Sequence, residues 1–256
     1  MGTMRHIERT LIVAVATSLL MLYGCSDEDT VIDNSAERAE LQVTAQIVDC
    51  VSTRVTSESA WEDNDRIGIS DGSSYTNVPY KYSSSTSKWT AVSETIYAAS
   101  GATYTAYYPY DSSSVDEDGN ITGAKDFLFA TATPSTTSSS VSFNFTHRMS
   151  KLTIKIFETY SQKDITKSGT IKGLKSGGKF NVKTGATTEL TAEDDMSFTS
   201  GTPIYLYPQN GAKFTVSFTN YGYTYTVTID QSTTKFEAGK AYTYTLQLYS
   251  PLGVND

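Results

Sequence analysis

The sequence predicts an all-β protein, and three observations carry that expectation. Apolar residues recur at alternate positions in short runs, the period of a strand with one buried face. Clusters of Gly, Asn, Ser and Asp separate the runs and spell turns. Tyr is abundant, at 18 of 256 residues, Ser and Thr fill roughly a quarter of the chain, and only 19% is charged. Such side chains suit a pleated, half-buried surface. A 12% aromatic content argues against disorder. Beyond the first two dozen residues no segment keeps the 3.6-residue period of a helix.

The first element is an address. Arg5, His6 and Arg9 form a basic start, and Leu11 to Leu22 an apolar stretch of the length a secretory signal needs. No apolar run reaches the ~18–20 residues of a membrane span. Residues 1–24 end in Leu22-Tyr23-Gly24, and Cys25 follows with Ser26-Asp27-Glu28-Asp29 behind it. This arrangement resembles a bacterial lipobox, with Tyr23 where a small residue is usual. The resemblance implies a lipid on Cys25 and anchoring in the outer membrane. The alternative is an ordinary signal cut elsewhere, with Cys25 a bystander. The acidic run after Cys25 resembles the surface-export signal of outer-membrane lipoproteins in bacteria with type V pili. Asp29-Thr30-Val31 fits the pattern those bacteria O-glycosylate. If Cys25 is acylated, Cys50 has no intrachain disulfide partner.

Residues 25–40 are acidic, lack a period and read as a tether. Leu41, Val43, Ala45 and Ile47 then alternate with polar residues. Ile67-Gly68-Ile69 is a short strand, and Tyr104 to Tyr110 another, ended by Pro109. Val141, Phe143 and Phe145 alternate in a third run. The second half continues with Leu152, Ile154 and Ile156, then Ile204 to Tyr207 stopping at Pro208. Asn210-Gly211 signals a turn. Phe214, Val216 and Phe218 follow, then Tyr223, Tyr225, Val227 and Ile229, then Tyr242, Tyr244, Leu246 and Leu248. The Ser/Thr stretch from Thr131 to Ser140 is an inter-strand loop or a domain linker. A boundary between about 135 and 150 leaves two β-rich halves, each long enough for its own core.

Charge and composition exclude several functions. A net charge of −8 gives no electrostatic drive toward nucleic acid. Two His and two Cys leave almost nothing for a metal site of those residues. No cofactor is expected. After signal removal His147 alone could serve a nucleophilic triad, and its position between two strands fits a hydrogen-bonded structural role. HExxH and P-loop patterns are missing from the sequence, and the chain reads as a non-enzyme. Asp116 to Asn120 fails the EF-hand pattern, with Ile121 at position six and Phe127 at position twelve. A turn around Asp118-Gly119 is the simpler reading. Tyr107, Tyr108 and Tyr110 are candidates for a sugar-stacking row.

Four stretches together resemble the fimbrillin family, the type V pilus subunits and their Mfa-like relatives. They are Thr53-Arg54 with Trp61-Glu-Asp-Asn-Asp65-Arg-Ile67-Gly-Ile69; Tyr104-Thr-Ala-Tyr-Tyr-Pro-Tyr110; Phe143-Asn-Phe-Thr-His147-Arg-Met-Ser-Lys-Leu152; and Gly239-Lys-Ala-Tyr242-Thr-Tyr244-Thr-Leu246. The residues also have physical readings. Trp61 caps one end of the core, Asp65 holds backbone N–H groups, and Phe143 to Leu152 carries one half of the chain into the other.

The resemblance implies two tandem transthyretin-like β-sandwich domains, residues 41–147 and 148–256. It also implies a surface lipoprotein, a subunit or accessory component of a pilus supporting cell adhesion. An Arg-specific protease cuts after an early Arg, the first strand leaves, and a strand of another pilus subunit takes its place. Here residues 41–48 fit that strand and Arg54 the cut; cutting at Arg38 leaves the strand in place. Residues 249–256, with Pro251 and Gly253, make a poor donor strand. Either Tyr242–Leu248 itself swings out, or the chain is not a stalk subunit. The other reading is a monomeric surface adhesin of the same fold that binds glycans or host proteins.

Overall fold

The computed structural model describes residues 39–48, 60–135, 138–190 and 194–249, and they contain strands and turns but no α-helix. Cys25, Arg38, Cys50 and Arg54 lie outside the described residues.

Eight strands make the first half: β1 (Gln42–Ile47), β2 (Arg66–Ser70), β3 (Val78–Ser83), β4 (Lys88–Ala91), β5 (Tyr104–Tyr108), β6 (Asn120–Thr122), β7 (Leu128–Ala132) and β8 (Ser140–His147). Seven of them close a barrel in the order β1-β4-β3-β2-β5-β7-β8. The alternation read from the sequence decides which side chains enter it. Leu41, Val43, Ile67, Ile69, Val141, Phe143 and Phe145 are buried there together with Tyr80, Trp89 and Tyr104. The Tyr104 strand stops at Tyr108, because Pro109 has no N–H to extend the ladder. Residues 133–139 join β7 to β8, so the Ser/Thr stretch is an inter-strand connection.

The second half holds β9 (Ser150–Glu158), β10 (Lys163–Ile165), β11 (Ser168–Lys172), β12 (Gly178–Asn181), β13 (Thr187–Glu189), β14 (Met196–Thr199), β15 (Pro203–Leu206), β16 (Lys213–Asn220), β17 (Tyr223–Asp230) and β18 (Ala241–Leu248). One sheet joins β10 and β15 to β9, with β18 on the other side of β9; a second runs β14-β11-β16-β17. Between them lie Leu152, Ile154, Ile156, Phe198, Phe214, Val216, Phe236 and Leu246.

The two halves repeat one pairing scheme. β2 lies antiparallel to β3 and β5, as β11 does to β14 and β16. β5 pairs β7, as β16 pairs β17. β1 runs parallel to β8, as β9 does to β18. β1 bridges antiparallel to β4, as β9 pairs β15. Chain order is the same in both. The ladders β3·β4 and β7·β8 close the first half into a barrel and have no counterpart among the described residues of the second.

Inserted strands join the halves. β6 pairs β12, and β12 pairs β13. A third core of Tyr107, Phe127, Phe129, Met149, Phe180 and Tyr207 lies beneath them. Phe127 stacks on Phe180 at 4.5 Å between ring centroids, and the Tyr207 hydroxyl donates to Gly123 O at 2.8 Å.

Candidate functional site

The site is the slot that holds β1. Along one side, β1 pairs with β8 through six register positions, from Gln42↔Ser140 to Ile47↔Phe145. Along the other it has a single bridge to β4, Val43↔Trp89. Each end is tied by main chain: Leu41 N donates to Ile96 O at 2.8 Å, and Val48 N to Phe145 O at 2.8 Å. Leu41 and Val43 are 2% and 6% exposed, while Ala45 and Ile47 are half-buried against the same core. Fully burying such a side chain contributes about 1.5–3 kcal/mol. On the outer face, Gln46 donates to Asn144 Oδ1 at 2.8 Å and Thr44 to Val141 O at 3.2 Å.

Trp61 reaches β1 from the turn before β2. Its Nε1 donates to Ala45 O at 2.9 Å. That carbonyl lies on the side of β1 where the bridge to β4 has ended, so the indole satisfies an acceptor that no strand takes. The ring is wedged edge-on among Trp89, Phe145 and Tyr108, at centroid distances of 5.0, 5.3 and 5.4 Å. Edge-to-face packing of this kind adds about 0.5–1.5 kcal/mol beyond burial. Asp65 fixes the turn: it accepts from Glu62 N at 2.8 Å and from the Tyr108 hydroxyl at 3.0 Å. Burial, and next the Asp65 charge, push the Tyr108 hydroxyl up to about 12.

At the end of β1 the slot opens into a cleft of about 330 Å³, walled by Ile47, Trp61, Tyr108, Asp126 and His147. His147 Nδ1 lies 2.9 Å from Asp126 Oδ1, the hydrogen-bonded role its position suggested. The described residues on either side of the segment carrying Arg54 are Val48 and Ala60, and Ala60 lines this same cleft.

The other sequence candidates resolve as turns and core. Asp116 accepts from Asn120 N at 2.7 Å, with Gly119 at φ +89° completing a turn. Among the described residues no cluster of His, Cys, Asp and Glu could hold a metal ion. Tyr107 is buried and donates to Asn77 at 2.8 Å, and Tyr108 is committed to Asp65. The three tyrosines therefore form no exposed row for stacking sugars. Sequence reasoning missed Trp89, which meets both Val43 and Trp61. It sits in a run of four residues, too short for its period to show.

Comparison with known proteins gives a consistent answer. The family model described as Fimbrillin-like matches residues 53–255. No curated protein matches the chain. Among solved structures, a candidate cell adhesion protein from Bacteroides ovatus superposes with a TM-score of 0.69 at 24% identity, covering 84% of this chain and 94% of its own. Another from Bacteroides uniformis gives 0.64 at 23%, covering 83% and 94%. A third from Bacteroides thetaiotaomicron gives 0.52 at 17%, covering 83% and 95%. At these identities the likeness speaks for the fold.

Proposed function

The chain belongs to the fimbrillin-like family, and from that premise we propose that it is a structural subunit or accessory component of a surface pilus, assembled by exchange of its first strand. Family membership supports a pilus or adhesion-related role at the cell surface. In this reading the repeated pairing scheme reflects two tandem transthyretin-like sandwiches. Cys25 carries the lipid that anchors the precursor in the outer membrane. An Arg-specific protease cuts after Arg54, β1 departs, and a strand from another subunit enters beside β8.

The observation that carries the proposal is the one-sided hold on β1. Six register positions and a row of apolar pockets lie along β8, against one bridge to β4. A strand that leaves such a slot exposes the β8 edge and the pockets of Leu41 and Val43 together. An incoming strand recovers main-chain hydrogen bonds from the edge and side-chain specificity from the pockets.

The test is digestion of the purified protein with an Arg-specific protease, followed by N-terminal sequencing and electrophoresis without heating. A single new N-terminus at Val55 with a ladder of unheated oligomers is the expected result. A chain that stays intact and monomeric after prolonged digestion would rule out the exchange mechanism.

A further inference from the structure

β17 is an edge strand with unusual features. Its inner neighbour is β16, and among the described residues no strand pairs its outer side. The equivalent strand of the first half, β7, is capped there by β8. Natural edges are blunted by shortness, charge, Pro or a bulge. β10, β13 and β14 are only three or four residues long. β17 has eight residues, and from Tyr223 to Ile229 it contains no charge and no Pro. The face it turns toward the sandwich is also incompletely covered, with Tyr223 55% and Val227 38% exposed. β18 likewise has one ladder partner, but its Leu246 and Leu248 are buried.

The hairpin fixes which main-chain groups are free. Tyr221 and Gly222, both at positive φ, form a two-residue turn closed by the pair Asn220↔Tyr223. In such a hairpin the closing pair is hydrogen-bonded, and the pattern alternates from there. Tyr223, Tyr225, Val227 and Ile229 therefore direct N–H and C=O at β16. Thr224, Thr226 and Thr228 direct theirs outward.

We propose that this edge pairs antiparallel with the β17 edge of a second copy of the chain, about a two-fold axis at Thr226. Thr226 then faces Thr226, and Thr224 faces Thr228, each pair exchanging both main-chain hydrogen bonds. On the inward face Tyr225 meets Val227, and Tyr223 meets Ile229. The two partly exposed side chains are thus covered by the partner. The charges at the strand ends do not oppose this direction. Lys167 lies 6.0 Å from the Tyr221 ring at one end, and Asp230, ion-paired to Lys213 at 3.1 Å, ends the strand at the other. The two-fold brings each copy's Asp230 beside the other's Gly222, next to Tyr221 and Lys167. Elsewhere two chains of net charge −8 repel, whereas along this stretch no like charges meet. An isologous contact closes on itself and yields a dimer. This surface is independent of β1 and Arg54.

The test uses the full chain carrying Cys25→Ser and Cys50→Ser, with either Thr226→Cys or Thr86→Cys added, under oxidised glutathione. Across a hydrogen-bonded antiparallel pair the Cα atoms lie about 5.5 Å apart, within disulfide reach. Thr226→Cys is expected to form a covalent dimer about tenfold faster or more than Thr86→Cys, which lies in an exposed turn. Without added cysteine, sedimentation equilibrium should show a monomer–dimer equilibrium whose dissociation constant rises about tenfold with Thr226→Pro. That substitution removes an outward N–H and none of the main-chain bonds to β16, losing there only the hydroxyl contact of Thr226 with Ser217 at 3.0 Å; Thr226→Lys, which sets like charges face to face, is the second variant if the first does not fold. Equal cross-linking rates, a monomer up to about 1 mM, open-ended aggregation, or a dimer indifferent to the folded variants would each overturn the proposal.

Discussion

β1 and β9 occupy the same place in the two halves and are held very differently. Each runs parallel to the last strand of its half, β1 over six register positions and β9 over eight. The contrast is on the opposite side. β9 pairs with β15 over four positions and with β10 over three, whereas β1 has the single bridge to Trp89, preceded on that side only by the isolated bridge Glu40↔Tyr97. β9 buries every second residue from Ser150 to Glu158 without exception; β1 buries Val43 alone within the strand, with Leu41 just before it. Position in a sheet therefore does not decide permanence. A strand zipped on both sides can leave only if its sheet comes apart. A strand zipped on one side and pinned by Trp61 can leave while the rest of the sheet keeps its pairing.

The strongest way to break this comparison is to cut the same kind of side chain from each strand. Leu152→Ala in β9 is expected to lower global stability by about 2–5 kcal/mol, seen as an earlier denaturant midpoint with unchanged slope. Leu41→Ala removes a side chain buried to the same degree. Its main effect is expected on local release of β1, with the β8 amides exchanging faster and a smaller change in the global midpoint. Equal global losses from the two would make β1 as integral as β9.

The equivalence of β2 and β11 can be sharpened through their glycines. A Cβ on Gly169 in β11 runs into the Ser217 carbonyl oxygen and the Phe198 ring. A Cβ on Gly68 in β2 runs into the Asn77 side chain and the Tyr107 ring. Both alanine variants should destabilise by about 1–3 kcal/mol, Gly169→Ala more, because a ladder carbonyl has less room to yield than a side-chain amide. Thermal melts of the two variants check the order.

Trp61→Phe keeps an aromatic wedge and removes the bond to Ala45 O. The expected cost is about 0.5–1.5 kcal/mol, confined to β1 and visible as faster exchange at Ala45 to Val48 with β9 unaffected. The smallest effect is on pH. Burial raises the hydroxyls of Tyr107, Tyr108 and Tyr207 from 10.0 to about 12. Folding thus favours their neutral forms. Their contribution is complete below pH 10.0 and is lost as pH climbs from there through about 12. Melting temperature should hold up to pH 10.0 and fall beyond it, less steeply in Tyr108→Phe.

Much of this was legible along the chain, because alternation is local. Leu41, Val43, Ala45 and Ile47, the run to Phe145, and the run from Leu152 mark strands by side-chain period alone. β3 was hidden by Pro79 within it, and β4 by its four-residue length. The partners were not legible. Val43 meets Val141 across almost the whole first half, and β6 meets β12 across the junction of the halves; period says which face is buried, not what covers it. Trp61 could be read as a cap on the core, but its bond to Ala45 O depends on where β4 stops pairing. For the same reason the alternating face of β17 predicted a covered strand, and the fold leaves it half bare.

Native-state hydrogen exchange on the intact chain, read residue by residue, tests the central claim most directly. The account predicts that amides bonded between β1 and β8, Gln42 and Val48 among them, exchange through a local opening well below the free energy that protects β9. If those amides and the amides of β9 share one protection free energy, equal to global unfolding, then β1 is not separately releasable and the exchange mechanism fails.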